Sequence, residues 1–156
     1  MGVLVKALLL ILSILSFGFA KQHVFLVDKY NKEIDLEAKI ISKIATSSLG
    51  KKVKLYIPEI TKEEQKIYSK HFKITQNCES ANFVFDKNGI AEENCKGKDK
   101  LFFTNNYKRL ISNKKYYGAF FWNKSRPNIV FIKQRLHTNK VNLSSEYSQF
   151  IEDNVE

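Results

Sequence analysis

Leu101-Phe-Phe-Thr-Asn-Asn-Tyr-Lys-Arg-Leu-Ile111 is the stretch on which the reading of this chain turns. Its opening residues, 101–104, form a nearly continuous apolar run, the pattern of a strand covered on both faces. Thr104 or Asn105 can then cap a helix whose apolar side is Tyr107, Leu110 and Ile111. A doubly buried strand that feeds a helix is half of a parallel β-α-β unit, so further strands separated by helices are expected on either side.

They are legible in both directions. Upstream, residues 81–85 (Ala-Asn-Phe-Val-Phe) read as a strand and Asp86-Lys-Asn-Gly89 as a turn, followed by a polar loop over 89–100 that carries Cys95. Downstream, residues 118–122 and 128–132 read as two strands joined through Asn123-Lys-Ser-Arg-Pro127, a hairpin. Earlier still, residues 53–57 alternate with period two and stop at Pro58, and Thr61-Lys-Glu-Glu64 is a capping box that opens a helix to about Lys70. Asp35 can cap a helix with Leu36, Ile40, Ile41, Ile44, Ala45 and Leu49 on one side, ended by Gly50. A last helix is expected from Ser144, packing Tyr147, Phe150 and Ile151. Residues 21–34 read as a short strand from His23 to Val27 or as a loose arm. The order predicts one α/β domain over 35–156, a three-layer α/β/α sandwich with a mostly parallel sheet, right-handed crossovers and an antiparallel edge hairpin.

Residues 1–20 have the three parts of a cleavable export signal: a positive charge at Lys6, an apolar core over 7–19, and small residues Gly18 and Ala20 at −3 and −1. That core is shorter than the roughly 20 residues a spanning helix needs. Cleavage after Ala20 and a periplasmic address are therefore expected. The chain is basic, with a formal charge of +10, which bears on partners rather than on fold. Lysine is scattered over every segment and only three residues are arginine, which argues against nucleic acid and leaves an anionic envelope polymer or small anion as the better-matched partner. In an oxidising compartment the lone pair Cys78 and Cys95 is expected to form a disulfide.

Chemistry-bearing motifs are few. His23, His71 and His137 are scattered without an acid partner at a familiar spacing, and no nucleophile elbow, phosphate loop, dinucleotide fingerprint or metal motif occurs. No catalytic residue, cofactor or metal site is assigned. Two binding surfaces stand out. Residues 116–128 gather the single Trp, two Tyr, two Phe and Arg126, so that Trp122, Lys124 and Arg126 can meet an anionic partner. Thr104, Asn105 and Asn106 lie at the carboxyl end of a central strand, where open α/β sheets collect ligands.

From about Asp35 to Asp153 the chain resembles the small periplasmic YfiR-like proteins. The likeness is carried by Cys78-Glu-Ser-Ala-Asn-Phe-Val-Phe85 before a strand, Leu101-Phe-Phe-Thr104, the Gly-started hairpin at 118–132, and a closing segment entered through Leu143-Ser-Ser145. Leu49-Gly-Lys-Lys-Val53 replaces the family's aromatic-Pro stretch, and Lys133 stands where a polar Asn is typical. The resemblance implies a non-enzymatic periplasmic regulator that holds a membrane-bound diguanylate cyclase, or a comparable sensor or receptor, in check. The alternative is a small solute- or anion-binding module like half of a periplasmic binding protein; an envelope hydrolase or nuclease comes third.

Overall fold

The computed structural model describes residues 3–50, 52–97 and 99–153, with side chains from Leu26 onward. The expected export signal thus lies outside the described side chains. Among the described residues no helix is long and apolar enough to cross a membrane. The chain falls into two units, Met1–Glu37 and Ala38–Glu156.

The first unit is helical, the leading part of α1, Val3–Leu49. Residues 21–34 are therefore neither strand nor loose arm, and Asp35 caps nothing, because it lies mid-helix. The reason is local. Residues 21–34 contain no Gly or Pro, and the pairs Asp28–Lys32 (2.7 Å) and Lys29–Glu33 (3.9 Å) bridge one helical turn. Leu26, Val27 and Tyr30 are exposed on this segment. At its far end α1 stops at Gly50, as its sequence requires. Gly50 takes φ +82°, and its N–H donates to the Thr46 carbonyl.

The second unit is an α/β sandwich. Its strands are β1 Lys54–Tyr56, β2 Lys73–Ile74, β3 Phe83–Asp86, β4 Leu101–Thr104, β5 Tyr116–Asn123, β6 Arg126–Ile132 and β7 Ile151–Glu152. They form one sheet in the order β2-β1-β3-β4-β5-β6-β7. All neighbours are parallel except the β5–β6 hairpin. The helices between them are α2 Lys62–Tyr68, α3 Ala91–Asn94, α4 Tyr107–Ser112 and α5 Lys133–Thr138. From β1 the chain steps one way to β2 and the other way to β3, β4 and β5. With right-handed crossovers this places α2 on one face and α3 and α4 on the other.

Each face has its own core. Phe83, Phe85, Phe103, Tyr117 and Phe131 form one chain of ring contacts, with centroids 5.4–6.5 Å apart. On that side Ser48 of α1 meets the Tyr117 hydroxyl at 2.8 Å, and Lys87, lying over the Phe85 ring, pairs with Glu64 of α2. The opposite face packs Val84, Phe102, Tyr116, Ala119 and Ile132 against Ala91, Leu110 and the Cys78–Cys95 disulfide. The register shifts between Phe102 and Phe103 relative to β5, so Tyr117 and Gly118 both fall on the aromatic side. No room remains there for a second side chain: a Cβ at Gly118 would sit 2.5 Å from Phe103 and 2.8 Å from Phe131.

The expected fold class holds, and several boundaries move. The strand at 53–57 shortens to β1, and the capping box at Thr61 and Glu64 forms as read. The hairpin is tighter than five linking residues imply: Lys124 and Ser125 alone turn the chain, at φ +48° and +61°. The polar stretch 89–100 contains the short helix α3, and Cys95 begins the loop that follows it. The closing helix is a 3₁₀ turn, Ser145–Phe150, and Ile151 belongs to β7, so β7 and not the hairpin forms the sheet edge. β2 and α5 have no counterpart in the sequence reading.

Candidate functional site

The corner at Thr104, Asn105 and Asn106 is occupied by the fold itself. Thr104 is fully buried; its hydroxyl donates to the Asp86 carbonyl (2.9 Å) and accepts from Arg109 (3.2 Å). Asn106 is the N-cap of α4, its Oδ1 accepting from the Arg109 N–H at 3.0 Å, and Asn105 is half-buried between them. The Arg109 guanidinium closes the corner by donating to the carbonyls of Asp86 and Lys87, each at 3.3 Å. It lies against Gly89, where a Cβ would come within 3.0–3.1 Å of it. Beside it, Asp86 is fully buried and accepts from the Gly89 N–H (2.7 Å) and the Tyr116 hydroxyl (2.6 Å). Burial, and then the Asp86 carboxylate, push the Tyr116 phenol far above its ordinary range. The result is a polar network satisfied from within, which positions β3, β4 and α4.

Two more cations act in the same way. Lys115 donates to the carbonyls of Ala91, Glu92 and Cys95 at the end of α3 while lying 4.2 Å from the Phe102 ring centroid. Burial pulls its pKa down, against Glu92 and Asp86, which raise it. Arg135 is 9% exposed and donates through Nη1 to the carbonyls of Leu110 (2.6 Å), Asn113 (3.0 Å) and Tyr116 (2.8 Å), holding the end of α4. Burial lowers the Arg135 pKa, though an arginine stays charged at neutral pH.

The hairpin end is different. Lys124 and Arg126 are exposed, and among the described residues neither side chain has a hydrogen-bond or ion-pair partner. Alternation separates the aromatic residues, as the sequence implies. Trp122 turns to the face of Phe120 (5.7 Å between centroids), while Phe121 turns to the face of Tyr107 (5.5 Å). Asn123 pairs with Arg126 and Phe121 with Asn128, so Arg126 stands one diagonal step from Phe121 on the same face. The face brought together is thus Tyr107, Phe121 and Arg126, with Trp122 on the reverse side and Lys124 in the turn between the two strands. Tyr107, 39% exposed, escaped the sequence reading because it was assigned to the buried side of α4.

A cleft of about 560 Å³ lies at the other end of the sheet, the amino end of its parallel strands. Ile111, Lys114, Ile132, Arg135 and Thr138 are among the residues that line it. Among the described residues no group of three or more His, Cys, Asp or Glu could hold a metal ion. No family model matches the chain, and neither curated proteins nor solved structures returned a match.

Proposed function

We propose that this chain is a non-enzymatic binding protein of the cell envelope, exported by residues 1–20, that regulates a membrane-bound sensor or receptor through its hairpin end. One observation carries the reading: Tyr107, exposed, stacks against the partly buried Phe121 on the face that also carries Arg126, and the fold leaves Arg126 and the turn residue Lys124 without side-chain partners. Every other arginine, and Lys115, is tied to main-chain carbonyls, so Arg126 and Lys124 are not part of the scaffold. Aromatic rings beside arginine are the composition of interface hot spots, and the charge calls for an acidic partner surface. The YfiR-like resemblance points the same way, toward inhibition of a membrane-bound cyclase. The disulfide, buried in one core, suits an oxidising compartment.

The test is site-specific photocrosslinking in the producing cell, with the crosslinker placed at Lys124. A defined membrane protein should be captured, and Tyr107→Ser combined with Arg126→Ala should reduce that adduct at least tenfold while the melting temperature holds. Equal capture by wild type and double variant would overturn the assignment of this surface.

A further inference from the structure

The cleft at the amino end of the sheet carries a second inference, independent of the hairpin. Arg135 lines it, and the use of its guanidinium is lopsided. Nη1 serves the Leu110 and Asn113 carbonyls at the end of α4 and the Tyr116 carbonyl at the start of β5; Nη2 reaches only the Ile111 carbonyl, at 3.5 Å. Among the described residues Nε donates to nothing. The unspent edge, Nε with Nη2, is the fork that meets a carboxylate with two parallel hydrogen bonds. The α4 carbonyls offset part of the positive charge, but among the described residues no carboxylate pairs with it. Asp153, the acidic residue at the rim, is engaged by Lys133 at 2.5 Å, and Lys114 adds a further positive charge.

Size and lining narrow the ligand. About 560 Å³ is far more than an inorganic ion fills and falls among small-molecule clefts. Ile111 and Ile132 supply apolar wall next to the charged fork, while Thr138 and Asn139 add polar groups at the edge. We propose that this cleft binds the carboxylate of a small organic acid on the free edge of Arg135, with the acid's apolar part between Ile111 and Ile132. The arginine would then have two roles at once: its Nη1 side fixes α4, which in turn holds the guanidinium still for the ligand.

The full chain, ¹⁵N-labelled and isolated from an expressing cell, would be titrated with benzoate and hexanoate and with their neutral amides as controls. Saturable movement of the Arg135 Nε–H resonance and of the Thr138 and Asn139 amides is expected with the acids, and a response at least tenfold weaker with the amides. Arg135→Ala would also release α4, so the informative variants are Thr138→Trp and Gln134→Trp. Both positions are exposed on α5 and line the cleft. Either should abolish the shifts without lowering the melting temperature, whereas Arg126→Ala should leave them intact. The proposal is overturned by absence of saturable shifts with both acids, by equal response to the amides, or by shifts that persist in both Trp variants. Tighter binding of phenyl phosphate than of benzoate would overturn the choice of carboxylate over phosphate.

Discussion

Replacing Gly118 by alanine tests the packing at the centre of the sheet. The glycine has no left-handed φ, so alanine can adopt its backbone and any loss must come from crowding. An added Cβ would lie 2.5 Å from Cε2 of Phe103, 2.8 Å from Cδ1 of Phe131 and 2.8 Å from the Val130 carbonyl oxygen. Carbon atoms rest about 3.5–4.0 Å apart, so Phe103 must retreat by roughly 1 Å. It cannot do so freely, because Phe83, Phe85, Tyr117 and Phe131 surround it. The Val130 contact is with backbone in the β5–β6 ladder, which rotamer changes do not relieve. Overpacking of this kind costs about 1–3 kcal/mol, and two fixed neighbours put the site at the upper end. The entropic gain of Gly→Ala in the unfolded chain returns roughly 0.4–1 kcal/mol. A net loss of about 2 kcal/mol is expected. With a urea slope of about 1–3 kcal/mol per molar, the unfolding midpoint should fall by roughly 1 M, read by the fluorescence of Trp122. Combining the change with Phe103→Leu should give a loss smaller than the sum of the two single losses, by more than about 0.5 kcal/mol. A midpoint that is unchanged or raised, or strictly additive losses, would refute the packing argument.

Two further outcomes follow from the structure. Reducing the Cys78–Cys95 bridge, which spans 17 residues, should lower stability by about 3 kcal/mol on loop-closure grounds. Calorimetry with and without reductant checks this, and an unchanged melting temperature would show that the staple contributes nothing. Glu64 is buried, and burial by itself would raise its pKa, but the Lys87 hydrogen bond, the Thr61 contacts and the Lys87 charge outweigh it and hold the carboxyl below its ordinary value. Its folded-state pKa being the lower one, its contribution is full above the ordinary glutamate range and fades as pH falls through the folded value. Glu64→Gln should therefore flatten the stability profile in that acid window and leave the slope near neutral pH unchanged; parallel wild-type and variant profiles would contradict it.

Much of the fold was legible because it is written locally. The apolar run at 101–104, the alternation at 53–57, the capping box at Thr61 and Glu64 and the glycine stop at Gly50 each depend on neighbours within a few residues. The misreadings share the opposite cause. Residues 23–27 offer a short run rich in strand-favouring residues, and the i,i+4 ion pairs that follow it outweigh that run. β2 and β7 are two residues long and are strands because of what they pair with. The site reading selected Thr104 and Asn106 correctly as a strand-to-helix corner but could not show that Arg109 fills it. Lys115, Arg109 and Arg135 bond main-chain carbonyls distant in sequence, and every residue has a carbonyl, so no residue pattern announces such bonds. What sequence could show was the remainder: Lys124 and Arg126, placed at the hairpin end.

Those three clamps have a consequence for how the domain comes apart in acid. A carboxylate partner is lost when it takes up a proton, whereas a peptide carbonyl keeps its lone pairs across the whole range. The carbonyl bonds made by Lys115 at the α3 end, by Arg135 at the α4 end and by Arg109 to Asp86 and Lys87 therefore hold while the Glu64–Lys87 tie at α2 weakens. Acidification should thus open the sheet from its β2–β1 side and spare the β4–β5–β6 side until later, so that amide exchange protection is lost in two separate steps. The half that outlasts the other is the half that carries both the hairpin end and the cleft.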